Sequence, residues 1–294
     1  MLRLAHFSDV HLTSHRLGWT GRDLLTKKVT GWVNVKLLGR GRRFRHAPLI
    51  ADALLDAFRT RNFDYLVFSG DVTKLAFESE FRQAAARLLV PGLPPVLGVP
   101  GNHDYYTGPA TRAGLFEKHF APWLAGERID HHTYPFARKV GPAWLIGVNS
   151  STANWSLWDA SGAIGREQGE RLVRLCDHLD DGPRILVTHY PLRTAKGHVE
   201  RRTHRLRDHA SALELAKACR VSLWLHGHIH RGYVLTPTDA IPFPVICAGS
   251  CTQTNHWMYN EYEIDGNSLS VLRRTFDFEK KTFVDGERVQ LQLG

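Results

Sequence analysis

Cysteine is scarce in this chain of 294 residues, with four (Cys176, Cys219, Cys247 and Cys251) and no Cys-x-x-Cys pair among them. That spacing excludes a zinc ribbon and gives no basis for a disulfide scaffold, so the thiols are expected to be reduced, buried and apolar. Also missing is any apolar run approaching the roughly 18–20 residues needed to span a bilayer. The N-terminal MLRLAHFSDVHL reaches His6 and Asp9 too early to form the core of a secretion signal, and the expectation is a cytoplasmic protein. No internal repeat and no low-complexity linker divides the sequence, so one domain spanning 1–294 is expected. Acidic residues are absent between Thr26 and His46, where seven lysines and arginines crowd together. Over Arg22–Arg45 eight basic residues face one acid, Asp23, and supply most of the net charge of +9. A second basic cluster runs from Arg193 to Arg207. Positive charge patterned in this way suits an anionic partner or substrate, although a solvated face would have the same composition.

What the chain does contain is a series of short apolar runs that end in polar residues: LRLAHFSD, DYLVFSGD, PPVLGVPGNHD, AWLIGVNS, RILVTHYP, VSLWLHGH and PVICAGS. Each reads as a buried strand. Between several of them lie helical spacings, such as Ile50/Leu54/Leu55/Phe58, Phe81/Ala85/Leu88/Leu89, Leu172/Leu175/Leu179 and Leu213/Leu215/Ala216. Alternating strands and helices point to an α/β fold. After Gly232 the text becomes strand-like, and Asp265-Gly266-Asn267 and Asp285-Gly286-Glu287 read as hairpin turns.

The strand ends carry the chemistry. Asp9 and His11 follow the first run, Asp71 the second, and Asn102, His103 and Asp104 the third. His189 closes RILVTHYP, and His226, His228 and His230 close VSLWLHGHIH. Ligands gather at the carboxyl ends of strands in α/β sheets. An Asp/His/Asn set without cysteine suits two divalent ions such as Mn, Fe, Zn or Co. A carboxylate such as Asp71 can bridge two ions about 3.5–4 Å apart, an arrangement that activates water and polarises a phosphoryl oxygen together. Singly, each motif reads more simply as a turn, a cap or a buried histidine. Five of them in order, each at a strand end, outweigh that reading.

SDVH, GD, GNHD, THYP and GHIH in that order closely resemble the signature of the calcineurin-like metallophosphoesterase superfamily, over about three-quarters of the chain from Asp9 to His230. The resemblance implies a four-layer αββα sandwich of two mixed β-sheets, with a dinuclear centre at the C-terminal strand ends. Carried over by motif, Asp9, His11 and His230 would hold one metal and Asn102, His189 and His228 the other, with Asp71 bridging. His103 would contact the scissile phosphate and help the leaving group depart as general acid. Asp104 would join it among the catalytic residues by supporting the loop. His226 matches no ligand position and is expected to be structural.

Two loops are expected to choose the substrate. The basic insertion at about 20–46 begins shortly after His11. As a helix it would place Leu25, Val29, Trp32 and Val33 on one face, which suits an apolar cap on the core or a membrane interface. Gly31 and Gly39 weaken that helix, and Val33-Val35-Leu37 also fits an alternating strand. The loop after His189 offers arginines for a second phosphate, with Arg202 and Arg205 the chosen candidates. Together these features suggest hydrolysis of a phosphodiester or pyrophosphate, on a lipid-linked or nucleotide-sugar substrate such as UDP-diacylglucosamine. The rival readings are a cyclic-nucleotide or general phosphodiesterase, a nuclease and a non-catalytic scaffold. Intact ligand motifs argue against the scaffold, and the lack of an aromatic-interleaved basic groove argues against nucleic acid.

Overall fold

The computed structural model describes residues 1–14, 16–37, 39–156 and 158–294. Its strands begin with β1 (Leu2–Phe7), β2 (Tyr65–Phe68), β3 (Val96–Gly98), β4 (Phe136–Val140), β5 (Ala143–Gly147) and β6 (Arg184–Val187). They continue with β7 (Val221–His226), β8 (Tyr233–Leu235), β9 (Val245–Cys247), β10 (Met258–Asp265), β11 (Ser268–Asp277) and β12 (Thr282–Gln292). The α-helices are α1 (Lys28–Lys36), α2 (Ala47–Thr60), α3 (Glu78–Leu88), α4 (Gly108–Arg112), α5 (Leu115–His119), α6 (Arg166–His178) and α7 (His209–Ala218). Every apolar run read as a strand is one, and each of the four helical spacings falls on a helix, with Leu89 and Leu179 just past the ends of theirs.

Two six-stranded sheets result, in the orders β12-β11-β10-β1-β2-β3 and β4-β5-β6-β7-β9-β8. In the first, β1, β2 and β3 run parallel and β10 lies antiparallel to β1. In the second, β5, β6, β7 and β9 are parallel, with β4 and β8 antiparallel at the edges. Strand alternation sorts the layers. Leu145, Ile185, Val187, Leu223 and Leu225 face a core shared with the first sheet and with Ile50, Leu54, Phe58 and Phe81 of α2 and α3. Their neighbours Trp144, Ile146, Leu186 and Trp224 face the other way, onto Leu172, Leu175, Ala212 and Ala216 of α6 and α7. The order helices, sheet, sheet, helices is the four-layer sandwich. Among the described residues the four cysteines are buried and unpaired, and no helix is long and apolar enough to cross a membrane.

Two expectations need correction. Asp265-Gly266-Asn267 does turn β10 into β11, with Gly266 at φ 57°. Asp285-Gly286-Glu287 does not turn: it lies within β12, opposite an irregularity between Leu272 and Arg274. Gly286 is needed there for close approach, because a Cβ would meet the Arg273 carbonyl oxygen at 2.8 Å. The β11–β12 connection instead falls before Thr282, where Lys281 takes φ 53°.

The second correction concerns α1, which forms a helix rather than an extended segment but not on the expected face. Leu25 lies before it and is exposed, while Val29, Trp32 and Val33 are half-buried. Its fully buried positions are Lys28 and Gly31. Lys28 can be buried because its ammonium is 2.8 Å from Asp23 Oδ1 and stands 4.1 Å from the centre of the Phe77 ring. A Cβ on Gly31 would lie 2.6 Å from both Leu75 Cδ2 and Tyr106 Oη, so the helix docks through the one residue that has no side chain.

Candidate metal centre

Both sheets present their parallel strand ends to one cleft. Asp9 follows β1, Asp71 follows β2, Asn102 and His103 follow β3, His189 follows β6, and His228 and His230 follow β7. The turns there are tight. Among the described residues nine non-glycine positions have positive φ, and five are Asp9 (55°), His11 (47°), Asp71 (64°), His228 (68°) and His230 (62°). The left-handed region costs a side-chain-bearing residue roughly 1–2 kcal/mol, and such costs collect at functional sites. Gly101 allows the third loop to close on the second, since a Cβ there would lie 2.1 Å from Asp71 Oδ1.

Asp9, His11, Asp71 and His230 bring ligand atoms within 4.8 Å of one another. His230 Nε2 is 3.0 Å from Asp9 Oδ1, and His11 Nε2 is 3.6 Å from both Asp9 Oδ1 and Asp71 Oδ2. His11 Nδ1 lies 3.1 Å from the Thr73 carbonyl, and His230 Nδ1 bonds Gln253 Oε1. Both acceptors require the proton on Nδ1, which leaves lone pairs on the two Nε2 atoms, and these face each other at 3.3 Å. A cation relieves that opposition.

A second set repeats the logic. Asn102 Oδ1 lies 3.0 Å from His189 Nε2 and 3.0 Å from His228 Nδ1. His189 Nδ1 donates to the Ser69 carbonyl at 2.7 Å and His228 Nε2 to that of His204 at 2.9 Å. Their other nitrogens therefore turn lone pairs toward the amide oxygen, again acceptor against acceptor. Asp71 Oδ2, 3.5 Å from His189 Nε2, is common to both sets. Burial lowers the pKa of His189, and that of His228 well below its usual value, which keeps both in the neutral form that ligates metal. The donors fit two divalent ions.

His103 borders these sets. Its N–H donates to Asp71 Oδ1 at 2.7 Å, its Nδ1 donates to the Lys74 carbonyl at 2.6 Å, and its ring stacks on Tyr106 at 5.7 Å. Chemistry at this ring therefore falls to Nε2. Asp104 does not enter the cleft. It accepts from the backbone N–H groups of Gly101, Asp71, Val72 and Thr73 at 2.9–3.2 Å and clamps the second and third loops together. Burial pushes its pKa up to about 6 against those donors. It is a positioning residue. His226 is buried between the Gly227 carbonyl and the Tyr233 hydroxyl, and burial lowers its pKa to about 4.

The cleft encloses about 380 Å³ and is lined by Asp71, Asn102, His103, His228 and His230, with Lys27, Thr30 and Asn34 of the basic segment on one side. Thr152, Asn154, Trp158, Asp159 and Ala160 line the other. Arg202 and Arg205 are not in this lining, and Arg202 is exposed. The Arg193–Arg207 loop enters through His204, whose carbonyl is held by His228. Arg207 instead reaches back to Ser161 Oγ at 2.8 Å and Asn154 Oδ1 at 3.2 Å, and so steadies the far wall. Among the described residues the lysine that lines the cleft is Lys27, 4.6 Å from the Tyr106 ring centre, its pKa lowered by burial against the opposing pull of Asp159. Lys27, Gln253 and Tyr106 were not singled out from sequence. Lys27 had only its place in the basic segment to mark it, and the other two had no signal.

Residues 2–232 match the family model described as calcineurin-like phosphoesterase. Among curated proteins none matches the chain. Among solved structures, a dimetal phosphatase from Danio rerio is similar over 100% of this chain and 99% of its own, with TM-score 0.66 and 14% identity. Purple acid phosphatase from yellow lupin (Lupinus luteus) seeds is similar over 99% of this chain and 53% of its own, with TM-score 0.64 and 12% identity. GAP50, the anchor in the inner membrane complex of Plasmodium, is similar over 100% of this chain and 89% of its own, with TM-score 0.53 and 13% identity. At these identities the structural likenesses speak to the fold.

Proposed function

The chain belongs to the calcineurin-like phosphoesterase family, a family of metal-dependent phosphoester hydrolases, and from that premise we propose that its substrate is a phosphodiester or pyrophosphate carrying a second anionic group. The observation behind the reading is a cleft that combines a set of donors fit for two cations with a lysine on its wall. On its floor Asp71 Oδ2 is shared between the His11 and His189 sets at 3.6 and 3.5 Å. On its wall stands Lys27, which lines the same cleft as Asp71, Asn102 and His228.

Two bound ions would supply an activated water and neutralise charge on the phosphoryl oxygens. The chain does the rest. Asp9, His11 and His230 on one side and Asn102, His189 and His228 on the other fix where the phosphorus sits. His103, its Nδ1 proton tied to Lys74 O, acts as general acid in its imidazolium form: it gives the second proton, on Nε2, to the departing oxygen and is left neutral with the Nδ1 proton in place. Lys27 pairs with the second anionic group, and Asp159 across the cleft helps keep it protonated. Nothing in the cleft singles out UDP-diacylglucosamine, and the class rather than the compound is proposed.

Comparison of p-nitrophenyl phosphate, bis-p-nitrophenyl phosphate and a nucleoside diphosphate ester, with Mn²⁺-loaded protein, tests this. The diphosphate ester should show the highest kcat/KM, and Lys27→Ala should lower it for that substrate alone. A preference for the monoester, or an equal loss on all three, would refute the reading.

A further inference from the structure

We propose that the rim of the cleft docks on an anionic lipid bilayer, so that the catalytic opening faces the membrane surface. Among the described residues nine large hydrophobic side chains are exposed, and six of these belong to two segments, residues 19–37 and 155–158. Leu24 is 62% exposed, Leu25 91%, Leu37 72%, Trp158 82% and Trp155 fully. The segments are far apart in sequence but meet at the cleft, one lining it through Lys27, Thr30 and Asn34, the other through Trp158 and Asp159. Among the described residues none covers the fully exposed Trp155 side chain, although tryptophan is highly buried on average. Collected around an opening, such residues mark a contact surface.

Charge identifies the contact. Arg22, Lys36, Arg42, Arg43 and Arg45, on the segment that supplies Lys27, Thr30 and Asn34 to the cleft and on the turn that follows it, are exposed. The segment's one acid, Asp23, is already paired with the buried Lys28 at 2.8 Å, so the charge it shows outward is positive. Arg201 and Arg202, exposed on the loop that brings His204 to the cleft, add to it. Basic residues combined with tryptophan and leucine suit the boundary between lipid headgroups and acyl chains. A nucleic acid would use the charges and could stack on the tryptophans, but offers nothing for Leu24, Leu25 and Leu37. A second copy of the chain would bring a like-charged rim against this one, which is unfavourable. The proposal is independent of the substrate reading above: a docked enzyme can still act on a soluble ester.

The test is co-sedimentation of the metal-loaded protein with phosphatidylcholine vesicles, with and without phosphatidylglycerol, for wild type and for the double variant Leu25→Glu/Trp155→Glu. Both positions lie outside the cleft lining and carry exposed side chains, so folding and turnover of bis-p-nitrophenyl phosphate should not change. Wild type should bind vesicles containing phosphatidylglycerol and not those of phosphatidylcholine alone, and the variant should bind at least about tenfold more weakly. Failure of wild type to bind, or equal binding by the variant, would overturn the proposal. So would self-association that the two substitutions abolish, because the rim would then be covered by a second copy.

Discussion

The four candidate ligand histidines are each tied through one ring nitrogen to an oxygen acceptor, and the tie decides which nitrogen is left to face an ion. For His11, His189 and His228 the acceptor is a backbone carbonyl, but for His230 it is the Gln253 side chain. Gln253→Leu should therefore weaken metal binding about 10–100-fold, the usual cost of losing a supporting hydrogen bond, as read by metal titration. His103→Ala should leave two ions per chain by elemental analysis while turnover falls about 10²–10⁴-fold; unchanged turnover would remove His103 from the mechanism. His6 gives a prediction on stability. Burial lowers its pKa to about 3 from 6.5, so its neutral form favours the fold fully above pH 6.5 and that contribution is lost as pH falls toward 3. Chemical unfolding should lose about 1.4 kcal/mol per pH unit from this residue within that window, and His6→Gln should flatten the slope accordingly. The motif residues were legible because short polar blocks at the ends of apolar runs stand out one by one. Gln253, Lys27 and His204 were not, because each matters through a partner distant in sequence. Arg202 and Arg205 misled for the converse reason: charge is visible in a sequence, but the direction of a loop is not.

At the scale of elements, α1 shows how a correct helix can carry a wrong face. Its apolar face of Leu25, Val29, Trp32 and Val33 suited either a cap on the core or a membrane interface, and packing instead chose Gly31 for its lack of a side chain and Lys28 for its partners. Periodicity cannot report a contact made by a missing group. Gly31→Leu should push α1 away from Leu75 and Tyr106 and take Lys27 out of position. KM for a nucleoside diphosphate ester should then rise several-fold more than KM for bis-p-nitrophenyl phosphate; equal effects would mean that α1 plays no part in selection. The Asp285-Gly286-Glu287 segment gives the matching lesson in a strand. The same residues serve a tight turn or a close interstrand approach, and only the partner strand distinguishes the two.

The whole molecule joins two sheets at one point. Asp9, Asp71 and Asn102 come from the first sheet's strand ends, and His189, His228 and His230 from the second's. Ions bound there would cross-link the two layers, and stripping them with a chelator should lower Tm by several degrees, reversibly on Mn²⁺ addition. An unchanged Tm would mean that the centre contributes nothing to holding the sheets together. The division into two sheets was not readable from the residues, although the strands were. In β5, β6 and β7 both faces are buried, so alternation falls silent and every position reads apolar. The layering came from the resemblance alone.

This topology also sets a timetable for the chain during synthesis. His11 and His230 meet across a separation of 219 residues, and β1 finds its antiparallel partner only in β10. A ribosome adding about 5–20 residues per second would have made Asp9, His11, Asp71 and Asn102 many seconds before His189, His228 and His230 follow. During that interval the nascent chain carries Asp9, His11, Asp71 and Asn102 without the three histidines that the second sheet contributes. A chain that stops short of the second sheet's strand ends lacks His189, His228 and His230, so the candidate centre can be completed only late in synthesis.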